Sequence, residues 1–244
     1  MTTTPSTPDR DRLVAWIDTE TTGLDERRGA VLEVGIVVTD MALIEKARRA
    51  WTVRFVGEVD DAIARMHGPD GSGLLRRIGG IEQGYRADIW QGDGLPVDEV
   101  DAMAAAWLAD QCQGVAPLWG GRNVAFDRRW CRRHMPRLHE AVHHRSIDET
   151  TLRIALDAWA GLVVPKDATP QGNRHRALDD LDECLRVARA FRARMAPPPQ
   201  DPPGMQWCDI CHARAVKGDP TWCVGRCPDG WPSVRCPTCR EDAP

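Results

Sequence analysis

Two carboxylates near the start of the chain have a spacing suited to binding a divalent metal ion. Asp18 and Glu20 stand at the end of an apolar run, Leu13 to Asp18, of the kind that forms a buried strand. Side chains two residues apart project from the same face of a strand, so both carboxylates can converge on one ion. The pair alone also fits a solvated strand end or a helix-capping turn. The longer string from Asp18 to Leu24, D-T-E-T-T-G-L, is much rarer by chance and favours the metal site.

An aspartate in the middle of the chain is a further candidate ligand. Asp127 ends the segment Gly121 to Asp127, G-R-N-V-A-F-D, where a short strand leads into a helix rich in arginine. A carboxylate at such a junction can reach a metal that the first pair holds. The alternative is an aspartate that only stabilises the first turn of the helix through the helix dipole.

A histidine and an aspartate near residue 180 add a candidate proton acceptor and another ligand. His175 lies five residues before Asp180. On one continuous helix that separation would turn the two side chains about 140° apart, because an α-helix has 3.6 residues per turn. We therefore expect His175 on or near the Gly172–Asn173 loop, where an imidazole can take a proton from water beside a metal bound by Asp180. A surface or packing histidine is the alternative. Asp179 is interpreted as an ordinary charge in the first helical turn.

Taken in order, these motifs resemble the DEDDh, or DnaQ-like, superfamily of 3′–5′ exonucleases, which includes oligoribonuclease, RNase T and the DNA polymerase III epsilon proofreading exonuclease. The resemblance covers about residues 12–195. It implies an α/β, RNase H-like fold with a mixed five-stranded sheet flanked by helices. It also implies hydrolysis of terminal phosphodiesters of single-stranded DNA or short RNA to 5′-nucleoside monophosphates by a two-metal mechanism. The residues that it assigns are the Mg²⁺ or Mn²⁺ ligands Asp18, Glu20, Asp127 and Asp180, and the general base His175.

The same resemblance implies contacts with the substrate. Leu24 is expected as an apolar wedge and His67 as a ring that stacks on a terminal base, since stacking on bases needs no particular sequence. A packing role is the alternative for both side chains. The full set of expected substrate contacts is Thr21, Leu24, His67 and Asn123.

Several segments compare directly with oligoribonuclease. Met66-His67 followed by Ser72-Gly73-Leu74 is similar to its M-H-x-x-S-G-L pattern, with two extra residues in the gap. The segment Ser146 to Leu152 resembles its strand-to-helix junction. Oligoribonuclease closes its site with a serine and a glutamine on the terminal phosphate, whereas the aligned positions here hold Asn123 and Phe126. Strict dinucleotide preference is therefore not implied, and the choice between DNA and short RNA stays open.

The overall charge limits how the chain can bind nucleic acid. With 32 Lys and Arg against 36 Asp and Glu, the formal net charge is −4, so the chain is not a polycation and nucleic-acid contacts must be local. The arginine-rich stretch 128–137 could line a groove that follows the backbone, or could be a solvated helix face. No apolar run resembles a signal peptide or a membrane span, so we expect a cytoplasmic protein.

The cysteines indicate a metal site in a C-terminal module. In a reducing compartment the nine cysteines are not expected to form disulfides, and six of them lie between Cys208 and Cys239. Two C-x₂-C pairs have the spacing of a zinc ribbon, and zinc would supply folding energy that so short a module lacks. Spacing does not settle which groups bind, because His212 also lies in this stretch, and free thiols are the alternative. The expected zinc ligands are Cys208, Cys211, Cys236 and Cys239, with Cys223 and Cys227 as second choices.

The order of the elements predicts the domain layout. Strands are expected at 13–18, 31–39 and 49–56, a helix at 97–111, a strand at 116–119 before a Gly120-Gly121 turn, and helices near 125–134, 149–159 and 176–195. The predicted parts are a disordered 1–11, an exonuclease domain 12–195, a proline-rich linker 196–206 and a zinc-binding module 207–244. A homodimer and a protein partner for the module are further expectations. The alternative function is a non-enzymatic adaptor that binds nucleic-acid ends and recruits a partner through the module.

Overall fold

The computed structural model describes residues 12–161, 163 and 175–195, together with the backbone of four short strands between 205 and 235. The chain divides into two compact units, Met1–Arg194 and Met195–Pro244. The expected disordered segment 1–11 and most of the expected linker, 196–204, lie outside the described residues. Among the described helices, none is long and apolar enough to cross a membrane.

The first unit alternates strands and helices after an opening meander. Its elements are β1 (Leu13–Thr21), β2 (Val31–Asp40), β3 (Glu45–Thr52), β4 (Phe55–Glu58), α1 (Asp61–His67), β5 (Arg76–Gly79), a short 3₁₀ turn (Ile81–Gln83), β6 (Ile89–Gly92), α2 (Val97–Gln111), β7 (Leu118–Gly121), α3 (Val124–His134), α4 (Pro136–Ala141), β8 (Ser146–Asp148), α5 (Glu149–Ala160) and α6 (Ala177–Met195).

A mixed sheet with the order β3-β2-β1-β7-β8 forms the centre of this unit. The pairs β1–β2 and β2–β3 are antiparallel, whereas β1–β7 and β7–β8 are parallel. The expected mixed five-stranded sheet flanked by helices is therefore confirmed. The strands of a smaller antiparallel sheet, with the order β4-β6-β5, follow β3 in the sequence.

The two faces of the central sheet bury different helices, as the two-residue period of a strand requires. Ala15 and Ile17 of β1 lie in a core with residues of α2, α3 and α4. Val14 and Trp16 lie in a second core with Leu181, Cys184, Leu185 and Ala188, which follow the i, i+3, i+4, i+7 spacing of one face of α6. Burying these apolar surfaces fixes α3 on one face of β1 and α6 on the other.

Most of the predicted elements are confirmed to within one or two residues, including the helices α2, α3, α5 and α6 and the junction between β8 and α5. The prediction of one third strand at 49–56 was wrong. The chain forms β3, which belongs to the central sheet, and then β4, which belongs to the smaller sheet. β3 is an edge strand whose side chains are mostly exposed or half-exposed. Because many of them are charged, the segment lacks the apolar pattern that marks a strand in the sequence.

The predicted Gly120-Gly121 turn was also wrong, because both glycines belong to β7. A Cβ atom on Gly120 would lie 2.5 Å from the Trp16 ring, so this glycine is required by close packing within the sheet. The elements β4, β5, β6, α1 and α4 were not predicted.

The second unit is described only through two backbone hairpins. β9 (Met205–Trp207) pairs with β10 (Arg214–Val216), and β11 (Cys223–Arg226) pairs with β12 (Pro232–Arg235), both antiparallel. Cys208, Cys211, Cys227, Cys236 and Cys239 lie outside the described residues, and of Cys223 only the backbone is described.

Candidate active site

The alternation of side chains along β1 distributes the chemistry of the first motif over two faces of the sheet. Asp18 and Glu20 have the same parity as Trp16 and therefore lie on the α6 face. Thr19 has the opposite parity and lies on the α3 face. The D-T-E motif can thus meet α6 with its carboxylates and α3 with its threonine.

Three carboxylates meet on the α6 face. One oxygen each from Asp18, Glu20 and Asp180, which lies in the first turn of α6, come within 4.8 Å of one another. Asp127 approaches from α3: its Oδ1 accepts hydrogen bonds from the backbone N and the Oγ1 of Thr19 at 2.9 and 2.8 Å. These bonds anchor one oxygen of the buried Asp127 carboxylate at β1. The four expected acids are therefore neighbours, three of them in direct convergence.

Burial, together with repulsion between neighbouring acids, raises the pKa values of Asp18, Glu20 and Asp127. Burial, with repulsion from Asp127, Glu20 and Asp180, raises the pKa of Asp18 well above its usual range. Burial and repulsion from Asp180 raise the pKa of Glu20 to about 9. Burial raises the pKa of Asp127 to about 7, although the bonds from Thr19 act in the opposite direction. Clustered, desolvated carboxylates of this kind are typical of functional sites.

The cluster fits a hard divalent cation. Its donors are all carboxylate oxygens, the ligands that Mg²⁺ and Mn²⁺ prefer. The Oε1 atom of Glu20 is buried and has no hydrogen-bond donor among the described residues. A buried acceptor left in this state costs free energy that a bound cation would offset. Asp18, Glu20, Asp127 and Asp180 are the residues placed to hold such ions.

The start of α6 is held on the sheet by contacts that the sequence did not reveal. Gly35, which pairs with Asp18 across β1 and β2, leaves room for the helix, because a Cβ there would lie 2.8 Å from the Ala177 Cβ. The buried Glu33 accepts a hydrogen bond from the Ala177 backbone N at 2.9 Å and forms a forked ion pair with Arg176. The available signal was a single glutamate inside the apolar strand V-L-E-V-G-I-V-V.

His175 lies outside the helix, as its spacing from Asp180 predicted. It precedes α6, and its φ of 45° is in the left-handed region that non-glycine residues rarely adopt. Its ring centroid lies 6.5 Å from that of His67, with the planes 79° apart. The clamp between Glu33 and Arg176 fixes the backbone immediately after His175, and so limits where the imidazole can lie.

His67 is buried beside the acids, at the end of α1. Its side chain is 1% exposed, with Nε2 3.6 Å from Glu20 Oε2 and Nδ1 3.0 Å from Ser72 Oγ. Burial, and then the neighbouring His175, lower the pKa of His67 to about 4, so the ring is neutral near pH 7. No ring face is open to a base in this conformation. The expected stacking contact stays a prediction that would require α1 or the following loop to move.

The other expected substrate contacts surround the same end of β1. Thr21 is buried, and its Oγ1 donates to the Gly23 carbonyl at 2.8 Å, which shapes the turn after the acids. Leu24, on that turn, is 83% exposed, as a wedge against a base would need to be. Asn123 is exposed and has a left-handed backbone, φ 54°, directly before α3.

Arg122 is a charged neighbour of the site that sequence reasoning did not single out. Its Nε donates to the buried Glu149 at 3.2 Å, and its Nη2 lies 3.1 Å from Glu183 on α6. The positive charge lowers the pKa of Asp18, against the effect of the acids. Arg122 thus joins α5 and α6 beside the acid cluster and offsets part of its negative charge.

Comparison with known proteins identifies the family. No family model matches the chain. Oligoribonuclease from Corynebacterium glutamicum (strain R) is 30% identical over 219 residues, which are 86% of this chain and 92% of that protein. Oligoribonuclease from Pseudomonas aeruginosa PAO1 is 30% identical over 182 residues, 72% of this chain and 92% of that protein. The chain belongs to the oligoribonuclease family.

Solved structures agree on the fold of this oligoribonuclease family member. Exonuclease I from Methylocaldum szegediense superimposes with a TM-score of 0.54 at 18% identity, over 75% of this chain and 41% of that one. The E. coli exonuclease I complex with single-stranded DNA gives 0.55 at 13% identity, over 76% of this chain and 41% of that one. The match thus spans about two fifths of exonuclease I.

Membership of the oligoribonuclease family makes the chain a 3′–5′ exonuclease of the DnaQ-like, RNase H-like superfamily. The resemblance in the sequence motifs is thereby confirmed at the level of the superfamily and of enzymatic function. The alternative of a non-enzymatic adaptor is not supported.

Proposed function

We propose that this enzyme uses two divalent metal ions and a histidine base to remove 5′-nucleoside monophosphates from the 3′ ends of short RNA and single-stranded DNA. The observation that carries the proposal is the convergence of Asp18, Glu20 and Asp180 on the α6 face of β1, with Asp127 bonded to the same strand. An all-carboxylate site with a neighbouring imidazole suits phosphodiester hydrolysis.

Each acid has a distinct positioning role in this proposal. Asp18 and Glu20 are fixed by the sheet, and Asp180 is fixed by the clamp at the start of α6. Asp127 keeps one oxygen on Thr19, and its other oxygen is the proposed ligand. When bound, two Mg²⁺ or Mn²⁺ ions would supply Lewis-acid activation of water and stabilise the charge on the leaving 3′ oxygen.

His175 is the proposed proton acceptor. What supports this role is its position directly before α6 and outside the helix, with its ring centroid 6.5 Å from that of His67, which itself lies against Glu20. His67 itself is hydrogen bonded to Ser72 and lies against Glu20, so its proposed role is to position Glu20 rather than to take a proton.

Short RNA is the first substrate to test, because the relatives at about 30% identity are oligoribonucleases. Single-stranded DNA is the second, because exonuclease I, which shares the fold, is seen bound to it. Leu24 is the proposed wedge against the terminal base, and Leu24→Ala should raise KM more than it lowers kcat, since the change removes apolar contact area from substrate binding.

The test is release of mononucleotides by the full-length protein from an RNA dinucleotide, a twelve-nucleotide RNA and the matching DNA, with Mg²⁺, Mn²⁺ or EDTA. Chromatography should show nucleoside 5′-monophosphates in the presence of metal and none with EDTA. Products other than 5′-monophosphates, or cleavage that persists with EDTA, would overturn the proposal.

For the second unit we propose a structural zinc ion held by Cys208, Cys211, Cys236 and Cys239. The support is their C-x₂-C spacing, with the first pair in the connection between β9 and β10. Elemental analysis of the purified chain, with the four cysteines changed in pairs to serine, tests it. We expect one zinc per chain in the wild-type protein and none in either pair variant. A zinc-free wild-type protein would refute the proposal.

A further inference from the structure

A stripe of aromatic and positively charged side chains runs along one face of α3. Phe126, Arg129 and Arg133 are spaced i, i+3 and i+7, which places them on the same side of a helix. The Arg129 guanidinium lies 5.7 Å from the centre of the Phe126 ring. Val124, Asp127 and Cys131 bury the opposite side of the helix, so the two arginines face away from the sheet, while the Phe126 ring packs partly against the core beside Trp130.

The loop that follows the catalytic acids adds a second wall. Glu26 and Arg27 of this loop, with Arg129, Arg132 and Arg133 of α3, line an open groove of about 400 Å³. His134 Nε2 lies 2.8 Å from the Glu26 carbonyl oxygen and stacks on Trp130, which fastens the loop to the helix. The groove therefore lies between the loop after β1 and the C-terminal half of α3.

The charge in this groove is largely uncompensated. Four of its five lining side chains are arginines, and the one acid, Glu26, lies 3.7 Å from Arg129. Within the described part of the chain, Arg27, Arg132 and Arg133 form no ion pair. The whole chain has a net charge of −4, so this concentration of positive charge is local. Exposed guanidinium groups without acidic partners are suited to phosphate.

The position of the groove determines which part of a substrate could reach it. Asp127 and the stripe share α3, and the helical rise of 1.5 Å per residue puts Arg132 and Arg133 about 7.5 and 9 Å further along the axis. A dinucleotide has a single phosphodiester, which must lie at the acids to be cleaved. This separation favours contact of these arginines with nucleotides further from the 3′ end.

We propose that the groove formed by Arg27, Arg129, Arg132 and Arg133 binds the phosphate backbone of single-stranded nucleic acid beyond the terminal dinucleotide. Phe126, at its active-site end, offers a half-buried ring on which a base can stack. This inference rests on the proposed function, because it extends the same substrate path. It makes the enzyme competent on oligonucleotides longer than a dinucleotide.

The test compares a double variant of the full-length protein, Arg132→Gln/Arg133→Gln, with wild type. The matched control is Arg86→Gln/Arg192→Gln, which removes the same charge from two other exposed arginines. Binding is measured by fluorescence anisotropy with Ca²⁺ in place of Mg²⁺, and cleavage by kcat/KM, on a dinucleotide and on twelve-nucleotide RNA and DNA. Each measurement is repeated over a range of salt concentrations.

We expect the groove variant to lose roughly 5- to 30-fold in affinity and kcat/KM on the twelve-nucleotide strands, with a salt slope smaller by about 1.4, or 0.7 for each lost contact. Dinucleotide cleavage should be unchanged, and the control should behave as wild type. An equal loss on the dinucleotide, no loss on the long strands, or the same loss in the control would each overturn the inference. A wild-type protein that cleaves nothing would refute the proposed function instead, and the anisotropy measurement would still decide on the groove.

Discussion

The two charged regions of this enzyme are built in opposite ways. At the acid cluster, Asp18, Glu20 and Asp180 are forced together, and burial and repulsion raise the pKa values of Asp18 and Glu20. In the groove of α3, Arg132 and Arg133 are exposed to water and spread along a helix face. The first region has high mutual repulsion, and the second has little because solvent screens it.

This difference separates two ways in which charge can serve a reaction. Buried carboxylates that repel one another destabilise the metal-free fold and gain their function only when a cation neutralises them. Exposed arginines cost the fold almost nothing and act on a substrate through screened attraction to its phosphates. Changes in the acid cluster should therefore alter chemistry, metal binding and stability together, whereas changes in the groove should alter substrate length preference alone.

The largest expected effect comes from neutralising one acid of the cluster. Asp180→Asn should lower kcat by about 10⁴-fold or more, because electrostatic stabilisation by a metal site is worth several kcal/mol. The neighbour Asp179 is exposed and supplies the matched control, Asp179→Asn, which should retain nearly full activity. Mononucleotide release under saturating substrate measures both. Similar rates for the two variants would place the chemistry elsewhere, and Asp18→Ala provides an independent repeat.

Removal of the proposed base should have a somewhat smaller effect. His175→Ala should lower kcat by roughly 10²–10⁴-fold, the usual contribution of general base catalysis, while metal affinity changes little. Calorimetric titration with Mn²⁺ separates the two quantities. A variant with wild-type kcat would exclude the role, and one that loses metal and activity in parallel would show that His175 only organises the acids.

The sequence predicted the acids better than it predicted their surroundings. Strand periodicity predicts that Asp18 and Glu20 share one face of β1, and helical geometry predicts that His175 lies outside α6. The burial of His67 does not follow, because it depends on the small sheet β4-β6-β5 and on α1, whose short segments have weak periodicity. The partner of Arg176 also could not be found, since residues 143 positions apart meet only after folding.

The pH dependence of metal binding tests the repulsion within the cluster. Because the pKa values of Glu20 and Asp127 are raised to about 9 and about 7, the metal-free protein holds protons at neutral pH that a cation must displace. Apparent Mn²⁺ affinity should therefore rise with pH between 6.5 and 8.5, by about tenfold per unit for each proton released. Calorimetry in buffers of different ionisation enthalpy counts these protons. An affinity that does not change with pH would mean that the acids are ionised before the metal binds.

The smallest expected effect is on the stability of the metal-free protein, and it contrasts the two charged regions directly. A carboxyl group whose pKa is higher in the folded than in the unfolded state binds more protons when folded, so stability falls as pH rises between the two values. For Glu20 that window runs from its ordinary value of 4.5 to about 9. Glu20→Gln should remove most of this loss and stabilise the metal-free fold at pH 8 by about 1–3 kcal/mol.

Thermal unfolding in EDTA at pH 6 and pH 8 measures this contrast. Glu20→Gln should raise Tm at pH 8 by about 2–4 °C for each kcal/mol, and by less at pH 6. Arg132→Gln/Arg133→Gln should change the stability by no more than about 0.5 kcal/mol, or Tm by about 1–2 °C, at both pH values, because these side chains are exposed and form no ion pair with described residues. With saturating Mg²⁺, Glu20→Gln should have a lower Tm than wild type, because the variant has lost a metal ligand and gains less stability from metal binding. A metal-free Glu20→Gln protein less stable than wild type at pH 8 would show that Glu20 is held by contacts strong enough to outweigh the repulsion of its neighbours.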